Sequence, residues 1–142
     1  MRNELLFTIE AHPMPHQRTR VARGGRHYNT AKQVSYQRLV ALAANKAAEG
    51  LKFEKPIKVQ CAFYFKRPKS DKNKELIYGG KGDVDNLIKQ VLDSCNGVIW
   101  SDDSSIVDVT GIKLYTDSEE RTIVRVIQLR EHINNFLHFA DT

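Results

Sequence analysis

Between residues 57 and 67 the chain alternates, with Ile57, Val59, Cys61, Phe63 and Phe65 on one face and Lys58, Gln60, Tyr64 and Lys66 largely on the other. Successive side chains of a strand point to opposite faces, so this period of two specifies a strand that is covered on one side and more polar on the other. A sheet with one covered face needs another layer to cover it. The remaining apolar patterns supply that layer. Thr30 is placed to cap a helix running to about residue 49, with Val34, Leu39, Leu42 and Ala43 as its apolar positions and Gly50 as its stop. A second helix is expected from residue 83 to about 96, with a core stripe of Leu87, Ile88, Val91 and Leu92 and an Asn96-Gly97 end. Residues 5–10 read as a first strand closed by the prolines at 13 and 15. Residues 106–116 and 121–130 read as two more strands, joined by Asp117-Ser118-Glu119-Glu120 most simply as a hairpin.

The predicted order is βαβαββ, a mixed α/β (α+β) fold in which two main helices pack on one mixed sheet. A chain of 142 residues is enough for one such domain with its own core. After residue 130 comes a tail, 131–142, in which Ile133, Phe136, Leu137 and Phe139 would form an apolar patch on a short helix. Such a patch needs a partner. No apolar run approaches the roughly 20 residues of a membrane span, and the polar start does not resemble a signal peptide, so a cytoplasmic protein with no membrane partner is expected. Cys61 and Cys95 have no metal-ligand spacing and read as buried free thiols.

Charge divides the chain. Residues 1–82 hold 17 Lys and Arg against 6 Asp and Glu, whereas residues 83–142 hold 5 against 11. A basic surface that neutralises phosphates supplies the sequence-independent part of nucleic-acid affinity. Two stretches concentrate the positive charge. The loop 12–29 carries Arg18, Arg20, Arg23 and Arg26 around Gly24-Gly25, and the loop 68–82 follows Lys66 and Arg67, contains Lys69 and ends in Gly79-Gly80-Lys81-Gly82. The first loop is long enough to imply a function, and the second is expected to be mobile without substrate. These seven basic residues are the candidates for contacts to a DNA backbone, which position a duplex without reading its sequence. His12, His16 and His27 lie in the first loop with no ligand spacing and are weak candidates for a base or a metal ligand.

The acidic half contains five aspartates within 21 residues: Asp83, Asp85, Asp93, Asp102 and Asp103. Aspartate is a poor residue for a helix interior, so this density points to caps, turns or metal binding. Asp83 and Asp85 would diverge inside a helix. They converge if Asp83 is extended and caps a helix whose first turn holds Asp85. Magnesium takes one or two carboxylates together with water and phosphate, and Asp103 could add a third ligand. Lys89, four residues after Asp85, shares its face, and Asp93 follows one turn later as a partner for Lys89. Asp102 could bind metal, orient Asp103 or face solvent. Taken singly, each has a plain structural reading as a cap, a surface ion pair or a turn.

At Asp83-Val84-Asp85-Asn86-Leu87-Ile88-Lys89, Asp93, Asn96-Gly97-Val98-Ile99 and Asp102-Asp103 the chain resembles the RusA family of Holliday-junction-resolving endonucleases, common in phages and prophages. Weaker similarity extends over most of residues 5–130. The sequence departs from the family's usual pattern at Gly82 and at Ser104-Ser105. The resemblance implies a homodimer that resolves four-way DNA junctions by paired nicking, in recombination and repair, using magnesium or manganese. It also implies that Asp83, Asp85 and Asp103 hold the metal, that Lys89 assists catalysis, and that Asp102 and Asp93 support them. Three rival readings stay open: a nuclease of the same chemistry acting on other branched, flap or single-stranded DNA, a non-catalytic module that binds structured nucleic acid, and an acidic interaction surface for another replication protein.

Overall fold

The computed structural model describes residues 3–71 and 74–129. A four-stranded sheet, in the order β1-β6-β4-β5, is built from β1 (Glu4–Ile9), β4 (Ile57–Lys66), β5 (Ile106–Thr116) and β6 (Arg121–Gln128). The helices α1 (Ala31–Ala48) and α2 (Val84–Cys95) connect these strands, and a two-stranded ribbon, β2 (Arg20–Val21) with β3 (His27–Tyr28), stands apart from the sheet. The expected mixed α/β domain with two main helices is therefore present, and the proposed tail helix lies outside the described residues.

The alternation in β4 does what its period requires. Ile57, Val59, Cys61, Phe63 and Phe65 are all buried, together with Leu5, Phe7 and Ile9 of β1 and Val124 and Val126 of β6. Against this face α2 sets Leu87 and Val91, both buried, with Ile88 and Leu92 packed at the margin. A β-carbon at Gly111 of β5 would lie 2.6 Å from Ile88 Cδ1 and 3.3 Å from Val84 Cγ2. The missing side chain thus gives α2 its seat. Trp100, fully buried, donates from Nε1 to Asn96 Oδ1 at 2.7 Å and closes the end of that helix.

The hairpin expected between β5 and β6 is not formed. β5 pairs parallel with β4, β6 pairs antiparallel with β4's other edge, and the turn between them steps over the end of the central strand. This arrangement gives the backbone of β4 partners on both sides, which a β5–β6 hairpin beside it would not. It also leaves β5 at an edge, where Val107 and Ile112 are exposed. The parallel pairing is possible because α2 provides the long crossover that parallel neighbours require.

The apolar face of α1 also differs from expectation. Its buried positions are Gln33, Tyr36, Val40, Ala44 and Ala48, at helical spacing, while Leu39 is 40% and Leu42 67% exposed. The expected stripe chose the larger aliphatic residues. The observed one contains a glutamine and alanines, since Gln33 finds hydrogen bonds in the interior and alanine lets the helix approach the sheet. Thr30 caps the helix as expected, accepting from the Gln33 backbone N–H at 3.2 Å.

Neither basic loop is structureless. In the first, the β2–β3 ribbon turns through Gly24 and Gly25, whose φ angles of 90° and 82° favour glycine. In the second, Tyr78 N–H donates to the Lys113 carbonyl at 3.0 Å and Tyr115 N–H to that of Leu76 at 2.8 Å, which docks residues 76–78 on the edge of β5. Tyr78 also stacks on Phe65, with ring centroids 4.3 Å apart. Among the described residues, the edge of β5 is capped there and left open along residues 106–112.

The turn that steps over β4 is held by Glu120. Its Oε2 accepts the Lys66 backbone N–H at 3.0 Å and its Oε1 meets His12 Nδ1 at 2.8 Å. Partial desolvation would raise its pKa, but these two donors and the nearby Lys66 charge outweigh that and hold the carboxyl below its ordinary value of 4.5. A carboxylate held low in the folded chain adds stability above the ordinary value and loses that contribution as pH falls through the lowered one. Glu120→Gln is expected to cost about 1 kcal/mol at neutral pH, allowing for its exposure. In thermal unfolding, the gap between the two proteins should close below about pH 4.5.

Candidate active site

Asp83 and Asp85 sit where the second basic loop turns into α2. Asp83 is the N-cap residue, extended at φ −70° and ψ 131°, and its side chain makes no capping hydrogen bond. Asp85 lies in the first turn. Both are exposed. Their placement is the one in which two carboxylates spaced i, i+2 can face a common point, and the positive end of the helix favours both charges.

What fixes this entry is a residue that sequence reasoning passed over. Lys113, on β5, donates from Nζ to the Gly82 carbonyl at 2.7 Å and to the Gly80 carbonyl at 2.9 Å. Its ammonium lies 5.4 Å from the centroid of the Tyr78 ring. Gly82 itself adopts φ +102°, a conformation that side chains rarely take, so the chain can turn directly into Asp83. Only the tertiary fold brings position 113 beside position 82, so no local motif marks it.

Lys89 is exposed on α2 and forms no ion pair among the described residues. Asp93, expected to partner Lys89, instead meets His16, with Nε2 3.3 Å from Oδ2. His16 also donates its backbone N–H to the Asn86 carbonyl at 2.9 Å. Both contacts fasten the root of the arginine-bearing loop to α2, the second immediately beside Asp85. A weak candidate for catalysis thus acts as an anchor.

Asp103 lies elsewhere. Asn96 bridges Trp100 at the far end of α2, and Asp103 follows three residues later in a short 3-10 turn (Asp103–Ser105) that leads into β5. The 12-residue helix separates this end from Asp83 by about 18 Å at the usual rise. Among the described residues, no group of three or more His, Cys, Asp or Glu side chains could hold a metal ion. Asp102 caps the turn and accepts from the Ser104 backbone N–H at 3.4 Å. The Ser104 side chain and backbone together hold its carboxyl below the usual range.

The basic candidates divide as well. Arg18, Arg20, Arg23, Arg26 and Lys69 are exposed. Lys66 donates to the Asp117 and Ser118 carbonyls at 3.0 and 3.3 Å. Arg67 reaches Asp117 Oδ1 at 2.9 Å and Asp71 Oδ2 at 2.5 Å, and its side chain is only 14% exposed. The Asp71 hydrogen bond, aided by Asp117, raises its pKa further. These two side chains hold the crossing turn in place.

The chain matches the family model described as "Endodeoxyribonuclease RusA" across residues 10–127. It is also 32% identical over 124 residues to the uncharacterized protein YqaN of Bacillus subtilis (strain 168), an alignment spanning 78% of this chain and 87% of that protein. No helix among the described residues is long and apolar enough to cross a membrane.

Replacing Lys113 by Met, which keeps most of the stem and removes the ammonium, is expected to release the Gly80 and Gly82 carbonyls. With Asp83 and Asp85 as the ligands of a divalent ion, the reading proposed below, a supporting contact of this kind would be worth roughly 10- to 100-fold in metal affinity or activity. Manganese titration beside a thermal melt checks this: affinity should fall by about that factor while the fold survives.

Proposed function

The chain belongs to the RusA endodeoxyribonuclease family, and we propose on that premise that it resolves four-way DNA junctions by paired nicking as a divalent-metal-dependent homodimer in recombination and repair. The observation that carries this reading is the pair of exposed carboxylates at the start of α2, Asp83 making no capping hydrogen bond, with the root of an arginine-rich loop fastened beside them. Hard oxygen donors at a helix entry suit magnesium, with manganese as a substitute, and two carboxylates match what magnesium commonly takes. When bound, such an ion supplies Lewis acidity at the scissile phosphate and lowers the pKa of the attacking water.

The chain's own residues do the rest. Asp83 and Asp85 hold the ion. Lys89, one turn beyond Asp85 on the same face, offsets the negative charge that develops on the phosphate. Arg18, Arg20, Arg23, Arg26 and Lys69 grip the backbone, while Lys66 and Arg67 act through the turn they secure. Lys113 is a positioning residue.

The separation of Asp103 from this pair favours a particular assembly. β5 carries Lys113, which holds the loop before Asp83, in its later part and begins just after Asp103. Among the described residues its edge is open along 106–112. Antiparallel pairing of two such edges about a two-fold axis sets the start of each strand against the later part of the other. It would carry each Asp103 toward the Asp83–Asp85 end of a second copy, completing a three-carboxylate site from two chains.

Two measurements test this. On a labelled four-way junction with magnesium, native protein should nick opposed strands symmetrically and leave matched linear duplex intact, and Asp85→Asn should bind without cutting. Absence of cleavage by native protein with either metal would leave a non-catalytic binding module. Mixing the inactive variants Asp85→Asn and Asp103→Asn should then restore single nicks, because a mixed dimer contains one intact shared site; no recovery would place Asp103 in a site within one chain.

A further inference from the structure

The segment from residue 18 to residue 28 is built as an arm. Its two ends are clasped by Gln33, which is 1% exposed: Gln33 Oε1 accepts the Gln17 backbone N–H at 2.6 Å, and Nε2 donates to Asn29 Oδ1 at 3.3 Å. Thr30 Oγ1 adds a hydrogen bond to Gln17 Oε1 at 3.2 Å. Between these fixed points nearly every residue is exposed.

The ribbon's register sorts its side chains. Arg20 stands opposite Tyr28 and Val21 opposite His27, so an arginine and a tyrosine share one face. Tyr28 is 46% and Val21 60% exposed. Among the described residues the Tyr28 ring packs on no other ring and lies under no cation. No acidic residue occurs between Glu10 and Glu49, whereas Arg18, Arg20, Arg23 and Arg26 all lie within ten residues of Tyr28 in the sequence, with Arg20 directly across the ribbon from it. An aromatic ring left open within a cluster of arginines is chemically matched to a nucleotide. The ring can stack on a base while the guanidinium groups meet its phosphates.

We propose that this arm is a base-stacking element, in which Tyr28, with Arg20 on the same face, stacks on a nucleobase left open at a DNA branch point. The inference rests on the junction-nuclease reading above and extends it to how a branch is distinguished from a duplex. Linear duplex hides its base faces inside the stack and offers the arm only phosphates. A branch point interrupts the stack and exposes a face. Its ligand class is an unstacked base within a branched strand, and the clasp to Gln33 and to α2 through His16 holds it at a set place relative to Asp85.

The test compares native protein, Tyr28→Ala, Tyr28→Phe and Arg20→Ala by binding to a four-way junction with 2-aminopurine at the branch and to a matched linear duplex. Base–aromatic stacking predicts that Tyr28→Ala weakens junction binding roughly tenfold, abolishes the 2-aminopurine response and leaves duplex binding unchanged. Tyr28→Phe should behave as native, and Arg20→Ala should weaken junction binding with a reduced 2-aminopurine response. Native-like junction binding and fluorescence by Tyr28→Ala would overturn the proposal. So would a Tyr28→Phe defect as large as that of Tyr28→Ala, or loss of the dimer by Tyr28→Ala in sedimentation, which would assign the ring to contact between copies. If native protein shows no preference for the junction, the junction-nuclease reading falls and takes this inference with it; if the preference exists but ignores Tyr28, only the arm assignment falls.

Discussion

β4 hydrogen-bonds along nearly its whole length to two neighbours of opposite direction, β5 in parallel and β6 antiparallel. Three features of the molecule depend on this. The parallel neighbour requires a crossover, and α2 is that crossover, so the catalytic-looking aspartates stand at the entry of a helix packed on the sheet. The antiparallel neighbour requires the chain to step over the end of β4, and Lys66, Arg67 and Glu120 are spent in holding that step. Finally, β5 is left as an edge strand that, among the described residues, a short piece of the second loop covers at one end.

Much of this was legible in the residues. The alternation along 57–67, the cap at Thr30, and the placement of Asp83 outside the helix with Asp85 inside it all follow from short-range rules, and the fold obeys them. The failures arose where partners distant in sequence decide the outcome. A four-residue link between β5 and β6 suggests a hairpin until the empty side of β4 is considered. Leu39 and Leu42 look more like core than Gln33 does, yet the interior supplies Gln33 with hydrogen-bond partners and admits the helix closely through its alanines. Lys66 and Arg67 read as free cations because Asp117 lies 50 residues or more away in sequence. Lys113 carries no local signature at all.

The division of charge also acquires a spatial meaning. The acidic residues do not form one repelling surface; Asp83 and Asp85 are at one end of α2 and Asp103 at the other. The cationic arm is rooted at the first of these ends. In the proposed reading, a polyanion is drawn to the positive segment while the few carboxylates near it are left for a divalent ion, and the full set is assembled only between two chains. Such an arrangement would keep a single chain from cutting unassisted.

The buried glutamine at position 33 has a wider implication. Because both ends of the arm are fastened to one side chain on α1, the length and composition of the intervening segment are uncoupled from the core. Insertions or deletions between the two clasped ends would change reach and contact chemistry without displacing α2 or the sheet. In the proposed reading the arm is therefore an exchangeable attachment on a fixed body, whose contact chemistry can change while the Asp83–Asp85 end of α2 keeps its place.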